Sequence, residues 1–334
     1  MMKETDIRPA ELFDRYLALC RRDATEFFRA DEWETAVCPG CGAEGLESFV
    51  KHTFHYRLCD RCETLFASPR PKAAALIRYY TESESVRFWA TDFYRDTESA
   101  RRERMFRPRA QLVAETARRL SPDRAVAAVF DIGAGYGVFC EEIRRALPQA
   151  LVCGIEPSPA LAQVCRDKGI AVIEAFVQDV APEQLPPTDG MRVFTSFELL
   201  EHLHSPADFL TSIRDLMADG DLLVLTTLSG TGFDIQVLWQ DAKAIFPPHH
   251  LNFLNPWSLG DLAARCGFDV LEMTTPGKLD VDIVNNNLPL LDDHRFVKTV
   301  YRHAAAEARL ELQRWLQDHR FSSHMMLVAR RGSH

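Results

Sequence analysis

The most constraining feature of this chain is a glycine-rich turn between an apolar run and an amphipathic segment. Residues 130–137 read FDIGAGYG. The apolar, β-branched run 126–130 predicts a buried parallel strand that ends at Asp131. Apolar residues then recur at helical spacing over 138–147, until Pro148 ends the segment. A strand, a glycine turn and a helix in this order predict the start of a nucleotide-binding α/β unit.

An acidic residue at the end of the next predicted strand extends the motif. Glu156 follows the run 150–155, where its carboxylate can accept hydrogen bonds from both hydroxyls of a ribose. This pattern fits either a dinucleotide or an S-adenosylmethionine site. The spacing G-x-G-x-G differs from the G-x-G-x-x-G that places a pyrophosphate on a helix N-terminus. Asp131 would repel a pyrophosphate but could hold the ammonium group of a methionine moiety. Both details favour S-adenosylmethionine.

The signature resembles motif I of the class I S-adenosylmethionine-dependent methyltransferases, and Glu156 resembles their ribose-binding acid. In many relatives an Asp after the third strand binds the adenine amino group. This chain has Ala175-Phe176-Val177 there, so we expect apolar and backbone contacts instead. The string FELLEHL at 197–203 resembles the segment that lines the methionine end of the cofactor. The resemblance implies these cofactor-binding residues: Asp131, Gly133, Ala134, Gly135, Gly137, Glu156, Phe176, Val177, Phe197 and Glu198.

Strand and helix patterns alternate along the rest of the chain. The further predicted strands are 170–174, 191–196, 222–228, 268–274 and 325–329. This alternation predicts an α/β fold with a parallel sheet covered on both faces. The resemblance implies the Rossmann-like, seven-stranded methyltransferase sheet, mostly parallel, with its last strand antiparallel beside the fifth.

Two C-x-x-C pairs upstream form the second strong signal. Cys38, Cys41, Cys59 and Cys62 are spaced C-x2-C-x17-C-x2-C, which suits tetrahedral Zn²⁺ in a zinc ribbon. Disulfides and a redox pair are the competing interpretations. We expect neither, because the chain shows no signal peptide and the pairs stand outside any βαβ unit. Four protein ligands leave no open position, so we expect a structural zinc site.

Charge and hydropathy narrow the class of protein. A net charge of −9 and a pI near 5.7 argue against general nucleic-acid affinity. No apolar run of about 18 residues predicts a membrane span, and we expect a cytoplasmic location. The Arg-rich segment 101–124 is a local exception, for which we expect a solvated helix face, with an anion-binding surface as the alternative.

We predict three units along the chain. Residues 1–70 hold an N-terminal helix and the zinc ribbon, residues 71–120 a helical connector or cap, and residues 121–334 the cofactor-binding domain. Aromatic residues of the connector, including Tyr79 and Tyr80, suggest a surface docked on that domain as a roof over the substrate, with simple packing as the alternative. A helical insertion at about 276–320 stands where such insertions commonly select substrate.

The zinc pairs, the aromatic connector, the glycine motif and a P-x-H-L-N-F string at 248–253 occur together. The combination resembles bacterial class I methyltransferases of sugar, surface-polysaccharide and secondary-metabolite pathways, and implies methyl transfer to such a small molecule. A ribosomal RNA methyltransferase with a zinc recognition module is the alternative. The acidic pI and the lack of an Asn/Asp-Pro-Pro-Tyr string stand against it. A non-catalytic binding module is the third possibility, and the oligomeric state stays open.

Methyl transfer depends largely on positioning of the reactants, and the remaining catalytic task is to remove the acceptor's proton. Side chains that could act as the base must lie at the carboxyl ends of the strands. His250, after the fifth strand, is our first candidate, and His202, after the fourth, is the second. Either histidine could instead hold its own loop together. We expect the His250 loop and the insertion to close together over the acceptor.

Overall fold

The N-terminal part of the chain combines one helix with short antiparallel strands. The structure, a computed structural model, describes residues 3–291 and 294–332, so residues 292 and 293 of the predicted insertion lie outside it. The elements are α1 (Ala10–Glu26), β1 (Trp33–Glu34), β2 (Leu46–Lys51), β3 (Phe54–Leu58), β4 (Leu65–Ala67) and β5 (Arg70–Pro71). Strands β2, β3 and β4 pair as antiparallel neighbours. We call residues 38–67 the ribbon.

A run of helices follows the ribbon. It comprises α2 (Ala73–Glu82), α3 (Glu84–Phe88), α4 (Tyr94–Arg101) and α5 (Arg107–Leu120), with π-helical turns at Trp89–Phe93 and Arg102–Phe106. We call residues 73–106 the cap. Helix α1 packs on it through an aromatic cluster in which Phe13 and Tyr16 contact Phe93. These large apolar side chains are buried between the two helical segments, which therefore pack as one layer.

The central part of the chain alternates strands and helices. Its elements are β6 (Val126–Ile132), α6 (Val138–Ala146), β7 (Leu151–Ile155), α7 (Pro159–Asp167), β8 (Ala171–Ile173), β9 (Met191–Phe197), α8 (Pro206–Leu216) and β10 (Leu222–Leu228). The C-terminal elements are α9 (Phe233–Leu238), β11 (Asn252–Phe253), α10 (Pro256–Arg265), β12 (Phe268–Thr274), α11 (Asp280–Asn286), α12 (Arg295–His303), α13 (Ala306–Asp318) and β13 (His324–Arg331).

Seven of these strands form one sheet in the order β12-β13-β10-β9-β6-β7-β8. The five strands β6 to β10 are mutually parallel, and β13 lies antiparallel between β10 and β12. The α/β fold class, the seven strands and the antiparallel last strand are therefore confirmed.

Both faces of this sheet are apolar, as a sheet covered by helices requires. Along β6, Phe130 and Ile132 belong to one hydrophobic cluster, whereas Val129 belongs to another on the opposite face. Successive side chains of a strand point to opposite faces, so this near-continuous apolar run fills two cores at once. The arrangement leaves the carboxyl ends of the parallel strands at one edge, where a ligand can bind.

The segment after β10 has a role that the sequence did not reveal. It crosses to the ribbon, where the two-residue strand β11 pairs with β4 and completes a sheet in the order β11-β4-β3-β2. Ribbon residues Phe54 and Tyr56 share a hydrophobic cluster with Phe253 and with Val284 of α11. The ribbon, the segment after β10 and the insertion thus pack around one core.

The insertion holds helices α11, α12 and α13. Asp280 is buried and accepts hydrogen bonds from the Gln313 and Ser322 side chains and from the Ser323 backbone N–H. Its carboxylate therefore holds the insertion together. Over the described ranges 3–291 and 294–332, no helix combines the length and the apolar character needed to cross a membrane.

Candidate functional site

The turn after β6 contains three glycines, and the surroundings of two of them, Gly135 and Gly137, differ. Gly133, Gly135 and Gly137 all have a positive φ, of 77°, 55° and 68°. A Cβ on Gly137 would lie 2.6 Å from Ile170 Cδ1, so this glycine allows close packing at the start of α6. A Cβ on Gly135 would meet nothing within 4 Å. The backbone at Gly135 therefore faces open space, as a ligand-binding turn requires, while neighbouring Ala134 is buried.

Glu156 lies directly beside this turn. One carboxylate oxygen accepts the Gly135 N–H at 2.8 Å and the other accepts the Ser158 N–H at 3.0 Å. Burial raises the pKa of Glu156, whereas the two backbone donors favour its charged form. Each carboxylate oxygen has a second lone pair, so both can still accept a hydroxyl. The position predicted for a ribose-binding acid thus has the required geometry.

Asp131 is buried at the end of β6. It accepts a hydrogen bond from the Thr195 hydroxyl at 2.7 Å, and the Cys140 thiol lies 3.6 Å from its other oxygen. Burial raises the pKa of Asp131 to about 7. A cation placed beside the carboxyl group would reverse part of that shift, because it stabilises the ionised form.

The residues expected at the adenine differ in exposure. Phe176 is 43% exposed, whereas Val177 is 4% exposed and belongs to the core. The exposed phenyl ring of Phe176, which follows β8, offers an apolar surface to a planar base. Val177 instead packs into the core and anchors the short helical turn Val177–Asp179, which Phe176 directly precedes.

Glu198 is already engaged within the protein. Its Oε1 atom accepts the Thr226 hydroxyl at 2.7 Å and lies 3.2 Å from His324 Nδ1 and 3.4 Å from Arg109 Nη2. Burial acts to raise the pKa of Glu198, but His324 and Arg109 together lower it below its usual range. The Arg109 guanidinium also lies 4.6 Å from the centre of the Phe197 ring.

Arg109 stands in the Arg-rich segment and was not predicted from the sequence as a site residue. Its side chain is buried and interacts electrostatically with Glu198, Asp131 and Glu201. Arg101 is a second inward-facing member: its guanidinium lies 5.5 Å from the Trp89 ring centre, and its Nε atom has no hydrogen-bond partner among the described residues. The helical repeat could have revealed Arg109, because Val113, one turn later, is buried on the same face.

Two further arginines of this segment, Arg102 and Arg107, form ion pairs with α6 of the sheet domain. Arg102 forms ion pairs with Glu98, Glu141 and Glu142 at 2.8, 2.7 and 3.0 Å. Arg107 contacts Glu142 at 3.0 Å. The expectation of a solvated helix face is therefore wrong for Arg102, whose side chain is 18% exposed and whose charge is matched by carboxylates of α4 and α6.

The two predicted bases lie next to each other. His202 is in the turn after β9 and His250 is in the segment after β10, and their ring centres are 4.7 Å apart. Glu201 joins them: one potential ligand atom from each of these three side chains lies within 4.8 Å of the other two. The Leu251 N–H donates to the Glu201 carbonyl oxygen at 2.8 Å, so the two segments are also linked through their backbones.

Hydrogen bonds indicate how the two imidazoles are protonated. His250 Nδ1 lies 2.6 Å from the Ala244 carbonyl oxygen, which can only accept, so Nδ1 carries the proton. His202 Nδ1 lies 3.2 Å from the Tyr80 hydroxyl of the cap. Tyr80 in turn donates to the His249 carbonyl oxygen at 3.4 Å. Nε2 is therefore the lone-pair atom of His250, whereas the contact of His202 Nδ1 with the Tyr80 hydroxyl fits either tautomer of His202.

Burial controls the charges in this group. It lowers the pKa of His202 to about 4 and lowers the pKa of His250 well below its ordinary value, so both rings are neutral near pH 7. Burial and the neighbouring Glu198 raise the pKa of Glu201 to about 8. The Thr227 hydroxyl donates to Glu201 Oε2 at 2.7 Å. The cluster thus combines two neutral imidazoles with a carboxyl group whose charge depends on what binds beside it.

The four ribbon cysteines also converge. Cys38 and Cys62 lie 3.4 Å apart at their sulfurs, as do Cys41 and Cys59, and all four sulfurs lie within 4.8 Å of one another. A disulfide would need about 2.05 Å, whereas tetrahedral zinc with bonds of about 2.3 Å needs sulfurs about 3.8 Å apart. All nine cysteines are free thiols, and the remaining five are buried as small core residues: Cys20, Cys140, Cys153, Cys165 and Cys266.

Comparisons with known proteins agree with this geometry. A family model described as a methyltransferase domain matches residues 101–273. A tRNA U34 carboxymethyltransferase from Hahella chejuensis is 29% identical over 178 residues, covering 50% of this chain and 49% of that protein. A ubiquinone biosynthesis O-methyltransferase from Xanthomonas axonopodis pv. citri is 29% identical over 168 residues, covering 47% of this chain and 67% of that protein. The chain thus spans only half to two thirds of the length of these relatives.

Among solved structures, the plantazolicin methyltransferase BpumL in complex with SAH aligns with 77% of this chain and 94% of its own, at 12% identity and a TM-score of 0.49. The match of the family model covers the glycine turn, Glu156 and the turn that carries Glu201 and His202. The chain therefore belongs to the methyltransferase domain family.

Proposed function

We propose that this chain is an S-adenosylmethionine-dependent methyltransferase and that it acts on a small molecule, such as a sugar, a polysaccharide precursor or a secondary metabolite. One observation carries this proposal: the polar groups at the acceptor side are enclosed by three segments of the chain. Tyr80 of the cap contacts His202, and His250 is 7% exposed within the segment that joins the ribbon. A small acceptor can be surrounded there, whereas a folded nucleic acid would need an open surface.

On the cofactor side, the open backbone at Gly135 takes the methionine and ribose region, and Glu156 binds the ribose hydroxyls. Asp131 binds the ammonium group, while Arg101, with its unpartnered Nε, pairs with the carboxylate of the methionine moiety. Phe176 covers the adenine. Glu198 is held by Arg109 and His324, so it shapes this region and keeps Arg109 in position.

For the chemistry, in-line displacement at a sulfonium depends chiefly on positioning. His202 and His250 face the acceptor with neutral rings and assist removal of its proton as the methyl group is transferred. Tyr80 and the Ala244 carbonyl group hold the two rings in position. Zn²⁺ bound by Cys38, Cys41, Cys59 and Cys62 stabilises the ribbon, on which the His250 segment is mounted through β11 and β4.

The RNA alternative receives less support. The Arg-rich segment, which could have formed a basic surface, is neutralised in part by Glu98, Glu141 and Glu142. Binding to a phosphate backbone needs unpaired basic side chains along a surface. The relative named for tRNA shares only half of its length with this chain, so its substrate does not transfer.

The test measures S-adenosylhomocysteine release with a panel of hydroxylated and aminated small molecules and, in parallel, with transfer and ribosomal RNA. Turnover with a small molecule and none with RNA is expected. His250→Ala should then lower turnover by about 10²-fold or more, with nearly unchanged affinity for S-adenosylhomocysteine. His204→Asn is the matched control, because His204 pairs with Glu34 outside the site. Turnover of RNA alone, or full activity of His250→Ala, would refute the respective part of the proposal.

A further inference from the structure

Three side chains suited to binding a cation meet beside the proposed acceptor site. Glu201 and His202 come from the turn after β9, whereas His250 comes from the segment after β10. One ligand atom from each lies within 4.8 Å of the others. Two imidazoles and one carboxylate are a ligand set typical of first-row divalent metal ions, which accept nitrogen and oxygen ligands together.

Each of the three side chains also makes a hydrogen bond that orients it. Thr227 donates to Glu201 Oε2 at 2.7 Å. His250 Nδ1 lies 2.6 Å from the Ala244 carbonyl oxygen, and His202 Nδ1 lies 3.2 Å from the Tyr80 hydroxyl. Histidines and carboxylates that bind metals in proteins are commonly held in this way, because the outer partner fixes the ring orientation and the tautomer.

The separations of the three ligand atoms also suit a single metal ion. Bonds of about 2.1 Å place the ligand atoms of a tetrahedral ion about 3.4 Å apart, so small inward shifts from the present separations of up to 4.8 Å complete a site. Glu201 and His250 are buried, but His202 is only half-buried. Three protein ligands with one accessible side correspond to a catalytic rather than a structural metal site.

We propose that Glu201, His202 and His250 bind one divalent first-row metal ion, and that the open side of this ion takes an oxygen of the methyl acceptor. The inference rests on the proposed function, which it deepens. It identifies the acceptor as an oxygen nucleophile, best a pair of adjacent oxygens, such as a vicinal diol, that can bind the ion together.

The role of the ion follows from its charge. A bound cation lowers the pKa of a hydroxyl group, so the acceptor releases its proton to solvent and remains as a metal-bound alkoxide. The alkoxide oxygen then forms a bond to the methyl carbon as the carbon–sulfur bond breaks, and the sulfonium becomes a neutral thioether. The two histidines thus promote proton removal as ligands of the ion, and no oxidant or reductant is needed.

The test is a titration of the full chain with Co²⁺, after zinc has been loaded into the ribbon and loosely bound metal has been removed with a chelator. The wild-type protein should bind one Co²⁺ per chain in addition to the ribbon zinc, read by metal analysis and visible absorption. Its NMR spectrum should show two exchangeable, paramagnetically shifted imidazole N–H signals, one each from Nδ1 of His202 and His250. Wild-type protein that binds no Co²⁺ at about 1 mM, or shows no shifted imidazole signal, overturns the proposal.

Variants then assign the ligands. Glu201→Gln and His250→Asn should lose the Co²⁺ but keep the ribbon zinc, and Thr227→Val should weaken Co²⁺ binding by about 10–100-fold. His204→Asn should bind Co²⁺ like the wild type. Equal Co²⁺ affinity in Glu201→Gln, His250→Asn and the wild type would also overturn the site. Affinity for S-adenosylhomocysteine reports whether each variant is folded, and if both fail to fold, the wild-type titration and its imidazole signals decide.

Failure of the metal site and failure of the proposed function give different results. Without a metal site, no Co²⁺ is bound, yet a small molecule is still methylated in the presence of a chelator. Without the proposed small-molecule activity, Co²⁺ still binds, but no hydroxylated acceptor is turned over. If both hold, chelation abolishes turnover of a vicinal diol, and added divalent metal restores it.

Discussion

The cofactor side and the acceptor side of this site are assembled in different ways. Asp131, Gly135 and Glu156 lie within 26 positions of one another, on two adjacent parallel strands and the turn between them. The acceptor side instead joins Tyr80 of the cap, Glu201 after β9 and His250 after β10. The three residues of the first side come from one short stretch of the chain, whereas the second side joins the cap, the turn after β9 and the segment that pairs with the ribbon.

The variant with the largest expected effect tests the cofactor side. Gly135→Val should abolish detectable cofactor binding in calorimetry, because its side chain would fill the open space beside the turn. Gly169→Val is the matched control: Gly169 also has a positive φ, of 68°, and open space around it, but it follows α7 and is not part of the glycine turn. Both variants carry the same kind of backbone strain. Equal loss of binding in the two would show that strain, and not occupied cofactor space, is responsible.

Glu156→Ala should have the next largest effect. Two hydrogen bonds from ribose hydroxyls to a carboxylate, each worth about 1.5–3 kcal/mol, correspond to a loss of roughly 10²–10⁴-fold in affinity. The variant also removes the acceptors of the Gly135 and Ser158 N–H groups, so the turn loosens as well. Glu174→Ala provides the control, since this residue follows β8 and pairs with Arg166. Unchanged affinity in Glu156→Ala would exclude the ribose role.

Cys59→Ser tests whether the two sides can be separated. Loss of the zinc should free β4, and with it β11 and the His250 segment, so we expect turnover to fall at least about tenfold while affinity for S-adenosylhomocysteine stays within about threefold. Metal analysis should show that one zinc per chain is lost, and protease should cut the N-terminal region first. Cys266→Ser controls for a polar group in place of a buried cysteine. A parallel loss of cofactor affinity would mean that the ribbon supports both sides.

The smallest expected effect is the change of cofactor affinity with pH. The pKa of Asp131 is raised to about 7 in the free protein, mainly by burial, with Thr195, Cys140, Arg109 and Glu156 as its polar neighbours. The cofactor ammonium needs the carboxylate, so binding below that pKa must release a proton. Affinity should therefore fall by up to about tenfold per pH unit below 7 and level off above it.

The raised pKa of Asp131 also makes the stability of the folded protein depend on pH. A raised carboxyl pKa means that the folded protein binds more protons than the unfolded chain, so stability without cofactor declines as pH rises from about 4 to about 7. Calorimetry at several pH values checks the affinity, with Asp131→Asn as the control, whose weaker binding should lack this pH dependence. A flat profile in the wild type would remove Asp131 from the ammonium site.

Much of the fold was predictable because each sheet element has its own local signal. Apolar runs define β6, β9 and β10, and Ser158 caps α7 where its side chain accepts the Leu161 N–H. The two-residue strand β11 carries no such signal, since its pairing with β4 depends on a partner nearly 190 positions away. Short elements of this kind are specified by contacts that exist only in the folded chain.

The candidate site divides in the same way. The sequence by itself determined the glycine turn, Glu156 and the four ribbon cysteines, because fixed spacing on adjacent segments already dictates their geometry. It also identified His202 and His250 as single candidates. Only the tertiary structure decided that these histidines meet each other and Glu201, and that Arg109 faces inward beside Glu198. The physical reason is that burial and long-range packing, rather than local backbone preference, bring these charged and polar groups together.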